Sequence, residues 1–319
     1  MKKVIFYFVF IIFLILILPI IFTEEFKTTE VGKNIPFDYG EYSQIKLLHV
    51  QDKSVEEIEL DMYLYGVVAS EMPASFEVEA LKAQSIVART YTIYQIKNNS
   101  KHQEADICDS SLCCQAWISK ENRFARWEDG KETMYWNKIV GAVNDTKGKV
   151  IFYDNNPINA FFHSNSGGKT ELAKNVWGKD YPYLKVVESL GEDAYTSYSF
   201  EHRFSKDNFV KVLKQKYSDF VIDFNLQELL KINSFTESGR VKEIQIGNKI
   251  LTGVEVRNIF GLKSANFTIN IIDDDIIFTC LGHGHGVGLS QCGSDVLAKQ
   301  GKNYEEIIKH YYKDVTIHE

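Results

Sequence analysis

The chain has 319 residues, with 36 Lys or Arg against 43 Asp or Glu, and a net charge of -7. That balance argues against a nucleic-acid binder, which carries a basic face or stripe. With 45% hydrophobic and 25% charged residues, 20 Gly and 5 Pro, the composition is that of a globular protein with a sizeable core, neither disordered nor fibrous.

Val4 to Phe22 holds no charged residue. At about 1.5 Å per residue this run spans roughly 28 Å, close to a hydrocarbon core of about 30 Å. Lys2 and Lys3 precede it, so the positive-inside rule keeps the N-terminus in the cytoplasm and sends the rest across. A cleaved signal peptide is the rival, but the run is long for an h-region and no small-x-small cleavage site follows. The expected layout is a cytoplasmic start and transmembrane signal anchor over 1–23, a polar tether over 24–42, and an extracytoplasmic region over 43–319. With Lys2 and Lys3 set aside, 34 basic residues face 43 acidic ones, so any attraction to anionic polymers is local.

Ser54-Val55-Glu56-Glu57 fits a capping box and predicts a helix that ends near Glu71, because Pro73 pushes Met72 out of the α region. A longer helix is predicted from Glu77 to Ile96, with Ala80, Val87, Tyr91 and Tyr94 as its core stripe. Residues 149–153 and 158–162 predict a hairpin with a four-residue loop, and Gly247-Asn248 a second hairpin with a two-residue turn. Helices are expected at 207–216, at 254–260 and from Asn303, where Glu306 completes a capping box. Helices mixed with antiparallel hairpins make the class α+β. A boundary near 189–205 would divide the large region into two subdomains, although no linker composition marks it.

Three stretches can carry chemistry. In the first, Glu71 sits at the end of its helix among Val, Ala and Met. The negative end of the helix dipole and apolar surroundings both disfavour the carboxylate, so the pKa should rise and the carboxyl can serve as a general acid. A solvated Glu at a frayed helix end is the competing reading. In the second, His163-Ser164-Asn165-Ser166-Gly167-Gly168 follows a strand and offers amides and hydroxyls to a polar ligand. His163 and Ser164 are neighbours on a strand and point to opposite faces, so they do not form a dyad. In the third, Gly282 to Gln291 alternates Gly with His283 and His285, which lets the backbone approach a ligand and, in an extended segment, puts both imidazoles on one side. Metal binding by these two histidines ranks below a substrate loop, because no acidic or cysteine partner has suitable spacing.

His102, Cys108, Cys113 and Cys114 crowd four ligands into thirteen residues, enough for a closed tetrahedral zinc site. Vicinal Cys113 and Cys114 can both ligate only across a sharp backbone turn, so an outside residue competes with Cys113 for the fourth position. A disulfide within the loop is the alternative. The pairing of Cys280 and Cys292 is left open.

Taken together, Tyr63 to Tyr91, Ala160 to Leu184 and Gly282 to Tyr312 resemble the stage II sporulation protein D family, membrane-anchored lytic transglycosylases whose relatives include amidase enhancers. The resemblance implies cleavage of peptidoglycan glycan strands between N-acetylmuramic acid and N-acetylglucosamine, leaving 1,6-anhydro ends, around a glycan-binding groove. It puts the catalytic glutamate on Glu71 and the motif positions on Lys82, Gln84, Arg89, Ser164, Ser166, Gly167, His285, Ser290 and Gln291, several of which are expected to line the groove. It implies no cofactor for catalysis, a sporulation cell-wall amidase and a polytopic membrane protein as partners, and work between the mother-cell and forespore membranes during engulfment. His283 falls on a variable position of that pattern, and Cys292 replaces an aromatic. The cysteine loop lies outside it, so the structural zinc rests on ligand arithmetic. Two rivals remain: a non-catalytic glycan-binding activator of an amidase, and a zinc hydrolase built on His283 and His285.

Overall fold

A computed structural model describes residues 37–98, 101–221 and 230–318. The predicted anchor and the tether as far as residue 36 lie outside the described residues. Residues 39–319 form a unit that holds every helix and strand named here.

Strand β1 (Gln44–Leu48) pairs antiparallel with β2 (Val55–Glu59) in an unbroken register from Gln44↔Glu59 to Leu48↔Val55. The capping box expected at Ser54 is therefore strand. Ser54 spends its hydroxyl on Asp52 Oδ1 at 2.7 Å, and five ladder pairs outweigh one local capping signal. Helix α1 (Leu60–Glu71) starts only after them, and its end is as expected: Met72 is extended with ψ 143° before Pro73.

Helix α2 (Val78–Lys97) is buried on nearly every side, not along one stripe: fourteen of its 20 residues are buried. Ala83, Ser85, Ala88, Thr90 and Thr92 keep its surface shallow, so neighbours approach from all directions. Ser85, Thr90 and Thr92 donate to carbonyls one turn back at 2.7, 2.7 and 2.9 Å, which satisfies hydroxyls that have no water.

Past β3 (Ile107–Cys108), parallel to β1, come α3 (Lys120–Phe124) and α4 (Glu132–Asn144), the latter against α1 and α2. Strand β4 (Val150–Tyr153) pairs with β5 (Asn156–Pro157) through Tyr153↔Asn156. The turn is thus two residues, Asp154 and Asn155 with φ 49° and 58°, shorter than the four predicted, because Asp and Asn tolerate consecutive left-handed positions. Residues beyond Ile158 leave the hairpin, and β6 (Phe162–His163) instead runs toward the glycine-rich loop.

After α5 (Ala173–Trp177), a second core forms. Strand β7 (Ser199–Ser205), absent from the predicted elements although Phe200, His202 and Phe204 alternate with polar residues, is followed by α6 (Lys206–Lys216) at the expected place. Strands β8 (Leu230–Phe235), β9 (Val241–Ile246) and β10 (Lys249–Thr252) form a meander whose β9–β10 turn is the predicted Gly247-Asn248. Helix α7 (Gly253–Phe260) carries a Thr252/Glu255 capping box. Strands β11 (Phe267–Ile272) and β12 (Asp275–Leu281) join β7 in an antiparallel sheet of order β11-β12-β7. Phe209, Val256, Phe260 and Phe278 fill the space between sheet and helices, with Phe209 and Phe260 stacked at 4.7 Å.

The chain returns to the first core through β13 (Leu289–Ser290), parallel to β6, then α8 (Gln291–Lys299) and α9 (Tyr304–Tyr311), both against α2. The Asn303/Glu306 capping box of α9 forms as predicted, and β14 (Thr316–His318) closes on β4. The class is α+β. Among the described residues, no helix is long and apolar enough to cross a membrane.

Candidate active site

Gly66 lets the 115–118 segment lie on α1. A Cβ there would meet Trp117 Cδ1 at 2.6 Å and the Ile118 carbonyl at 2.7 Å. The segment is pinned from the other side by Gln115, whose amide donates to Tyr63 Oη, Ala88 O and Thr92 Oγ1. So placed, Ala116 donates its N–H to Glu71 Oε1 at 2.7 Å, and Gln291 Nε2 lies 3.4 Å from Oε2. Glu71 is the last residue of α1, beside buried Met72 and Ala69. Burial pushes its pKa up; the bonds from Ala116 and Gln291 oppose the rise without cancelling it.

The loop after β6 and the glycine loop interlock. Asn165 and His283 exchange backbone bonds at 3.1 and 2.8 Å. Gly167 and Gly282, with φ 68° and 79°, meet backbone to backbone: a Cβ on Gly282 would lie 2.7 Å from Gly167 N. Beneath them sits Glu192, which no sequence signal singles out. Its carboxylate is buried and accepts from Ser166 N and Oγ, both at 2.7 Å, from Gly167 N at 3.2 Å, from Ser189 Oγ at 2.6 Å and from Ser290 Oγ. Ser166, Gly167 and Ser290 therefore converge, but on this carboxylate. No local pattern announces Glu192, because most of its partners come from distant loops.

His283 and His285 diverge. Gly284 between them has φ 114°, which breaks the two-residue period of an extended chain. His283 lies against Phe200 at 5.6 Å, whereas His285 sits 4.9 Å from Trp177 and 5.7 Å from His163. Burial, with Arg257 and Arg240 nearby, lowers the His285 pKa to about 3, so its ring is neutral. His163 is buried, donates from Nδ1 to Val287 O at 3.1 Å, and is likewise held neutral by burial.

The three motif residues on α2 belong to the scaffold. Arg89 is fully buried; it donates to Thr146 O at 2.7 Å and Val143 O at 3.2 Å, and pairs with Asp61 at 3.1 Å. It thereby ties α1 to the C-terminal end of α4, where a cation is favoured. Gln84 is fully buried, and among the described residues neither of its amide atoms has a partner. Lys82 pairs with Glu79 at 3.2 Å and Asp145 at 3.0 Å. Glu71, Lys82, Ser164, Gly167 and His285 are the partly exposed members of the expected set, and Gln84, Arg89, Ser166, Ser290 and Gln291 are buried.

In the cysteine loop, Cys113 and Cys114 both donate backbone N–H to Ser110 O, at 3.2 and 2.8 Å. This is the sharp turn that lets vicinal thiols face one point. His102 Nε2 lies 3.7 Å from Cys113 Sγ and 3.6 Å from Cys114 Sγ, the two sulfurs are 3.9 Å apart, and one ligand atom from each of the four residues falls within 4.8 Å of the others. Four donors at about 2.3 Å from a tetrahedral centre would stand roughly 3.8 Å from one another, so the spacing fits zinc with no outside residue. All five cysteines are free thiols in this structure.

Residues 49–153 match the family model described as a stage II sporulation protein. The chain is 37% identical over 277 residues to stage II sporulation protein D of Bacillus subtilis (strain 168), covering 86% of this chain and 79% of that one. It is 36% identical over 278 residues to the same-named protein of Bacillus amyloliquefaciens, covering 86% and 78%. The amidase enhancer of Bacillus subtilis (strain 168) is 27% identical over 302 residues, 80% of this chain and 40% of that protein. At such identity over most of both chains, this protein belongs to the stage II sporulation protein D family, whose members serve sporulation and the cell wall.

Proposed function

We propose that the protein is a lytic transglycosylase that cleaves peptidoglycan glycan strands between N-acetylmuramic acid and N-acetylglucosamine. The observation that carries this reading is Glu71: a carboxyl at a helix end, raised in pKa by burial and oriented by Ala116 N–H. Protonated, it donates to the glycosidic oxygen as the C1–O bond breaks and positive charge develops on the ring. The resulting carboxylate then takes the proton of the muramic acid 6-hydroxyl as O6 bonds to C1. The proton lost in the first step is regained in the second, so no other carboxylate has to activate water.

The glycan would lie in a groove over Glu71 and the glycine loop, touching the partly exposed Ser164, Gly167 and His285, while Gln84, Arg89, Ser166, Ser290 and Gln291 fix the walls. His102, Cys108, Cys113 and Cys114 would hold a structural zinc. Bound there, the metal would neutralise the thiolates and lock the loop. Cys114 is two residues from Ala116, so that lock also holds the N–H that orients Glu71. The apolar run 4–22 supports a single-pass anchor with the described unit outside the cytoplasm, in the space between mother cell and forespore. A cell-wall amidase that removes stem peptides and a polytopic membrane protein are the partners we assign.

The amidase-enhancer relative favours a second reading, a glycan-binding activator that cuts nothing. Mass spectrometry of unreduced products from peptide-free strands separates the two. Muramic ends lighter by one water, about 18 Da, made by wild type and absent with Glu71→Gln, support the transglycosylase. Intact strands with both proteins, under conditions where binding is measured, leave the activator.

A further inference from the structure

A second concavity lies on the far part of the glycine loop, where Gly284 and His285 form one wall of a cavity of about 210 Å³. That is well above the roughly 10–15 Å³ that one water needs. Its polar lining is lopsided. Arg240, Arg257, Lys174 and Lys242 bring four cations, and Glu171 is the one carboxylate among the lining residues.

That carboxylate is already satisfied by neutral donors. Glu171 accepts from Leu172 N at 2.7 Å, Asn175 Nδ2 at 2.8 Å, Thr236 Oγ1 at 2.6 Å and Ser238 Oγ at 2.7 Å. Arg240, 3% exposed, uses its two terminal nitrogens on Lys169 O, Ser238 Oγ and Ser166 O. Among the described residues its Nε is buried with no partner, and no acidic group touches the guanidinium. Among the described residues, nothing accepts a hydrogen bond from the Arg257 side chain or pairs with it, although it is half-buried. Glu171 and Glu192 favour the Arg240 charge without touching it, whereas Arg257 is a half-buried cation with no such partner, which is costly. The site is built for an anion the protein does not itself supply.

The rest of the wall says which anion. Val176, Val241, Val254 and Ala265 line the same cavity, so the occupant carries a short aliphatic part beside its charge. Arginine's planar fork matches the two oxygens of a carboxylate, and a bare inorganic ion would leave the valines without a partner. We propose that this cavity binds a carboxylate of a peptidoglycan stem peptide, with Arg257 as its direct partner and Arg240 as a fixed charge behind it. The assignment rests on the proposed glycan-strand substrate, and gives the enzyme a way to sense whether the peptide is still attached.

The test uses the full-length protein in detergent micelles and the disaccharide N-acetylglucosaminyl-N-acetylmuramic acid carrying a tetrapeptide. This unit contains no bond that the proposed reaction cleaves, so its binding is measured whether or not the protein makes anhydro ends. By titration calorimetry, wild type should bind the form with free carboxylates about tenfold or more tightly than the form with amidated carboxylates. Arg257→Gln should erase that preference and Arg257→Lys restore part of it, with the melting temperature of Arg257→Gln equal to or slightly above wild type, since among the described residues the native cation has no intramolecular partner to lose. Equal binding of both forms by wild type, or a preference that survives in Arg257→Gln, overturns the proposal. Displacement of the peptide by inorganic phosphate at equal concentration would overturn the carboxylate assignment in favour of a general oxyanion site. Absence of anhydro ends with wild type would remove the transglycosylase reading alone.

Discussion

The side-chain amide of Gln291 lies 3.4 Å from Oε2 of Glu71, joining residues 220 positions apart. Together with Ala116 N–H on Oε1, it fixes the plane of the carboxyl. A general acid must approach one lone pair of the leaving oxygen, and a fixed plane supplies that direction before substrate arrives. Glu71→Gln keeps the shape and removes the proton. Anhydro-end formation should fall by at least about 10²-fold, read by product mass spectrometry.

The same carboxyl costs the folded state free energy. Its pKa is raised above the ordinary 4.5, so the native state holds the proton to higher pH than the unfolded chain does. Stability from this group therefore falls as pH climbs from 4.5 through the folded value, and stays reduced above it. Glu71→Gln should melt above wild type at pH 8, with the gap closing below pH 4.5. An equal gap at both pH values would show that the carboxyl is not desolvated.

His285 works in the opposite direction. With a folded pKa near 3 against an ordinary 6.5, the unfolded chain takes up a proton between those values that the folded chain refuses. Stability from this group is full above pH 6.5 and is lost as pH falls toward 3. His285→Gln should flatten the acid limb of a stability-versus-pH curve measured by urea unfolding.

Glu192 gathers five donors from three loops. Glu192→Ala strands them in a buried site and should destabilise by at least about 3 kcal/mol, measured by denaturant unfolding. Because Ser166 and Ser290 both hang on this carboxylate, Ser166→Ala in the Glu192→Ala background should cost far less than Ser166→Ala alone.

A chelator should lower the melting temperature by at least about 5 °C if zinc occupies the four-ligand cluster, and Cys114→Ser should make the protein insensitive to chelator. A melting point moved by reductant and untouched by chelator would instead show a thiol-thiol bond in the loop.

Local signals are readable wherever one segment decides its own conformation. The end of α1 before Pro73, the Gly247-Asn248 turn and the Asn303 cap all follow from residues within four positions. Ser54 misleads because β1 claims residues 55–59, and pairing partners lie outside any local window. The all-round burial of α2 is hidden for a similar reason: small and hydroxyl residues read as a polar face, yet they are what allows neighbours to close in. At the candidate site, Glu71 is legible through its neighbours and through family resemblance. Ala116 offers only a backbone N–H, and Glu192 and Arg240 are defined by loops far away in sequence. Neither kind of residue leaves a mark in a motif.

The junction of Glu71 with Gln291 also sets a schedule. Synthesis proceeds from the N-terminus at about 5–20 residues per second, so roughly 10–45 s separate the appearance of the acid from that of its amide partner. The rest of α8, which Gln291 opens, and then α9 follow, and both pack on α2. A chain that stops short of Gln291 carries the glutamate without the amide that fixes its plane, and the candidate site is complete only once both residues have been made.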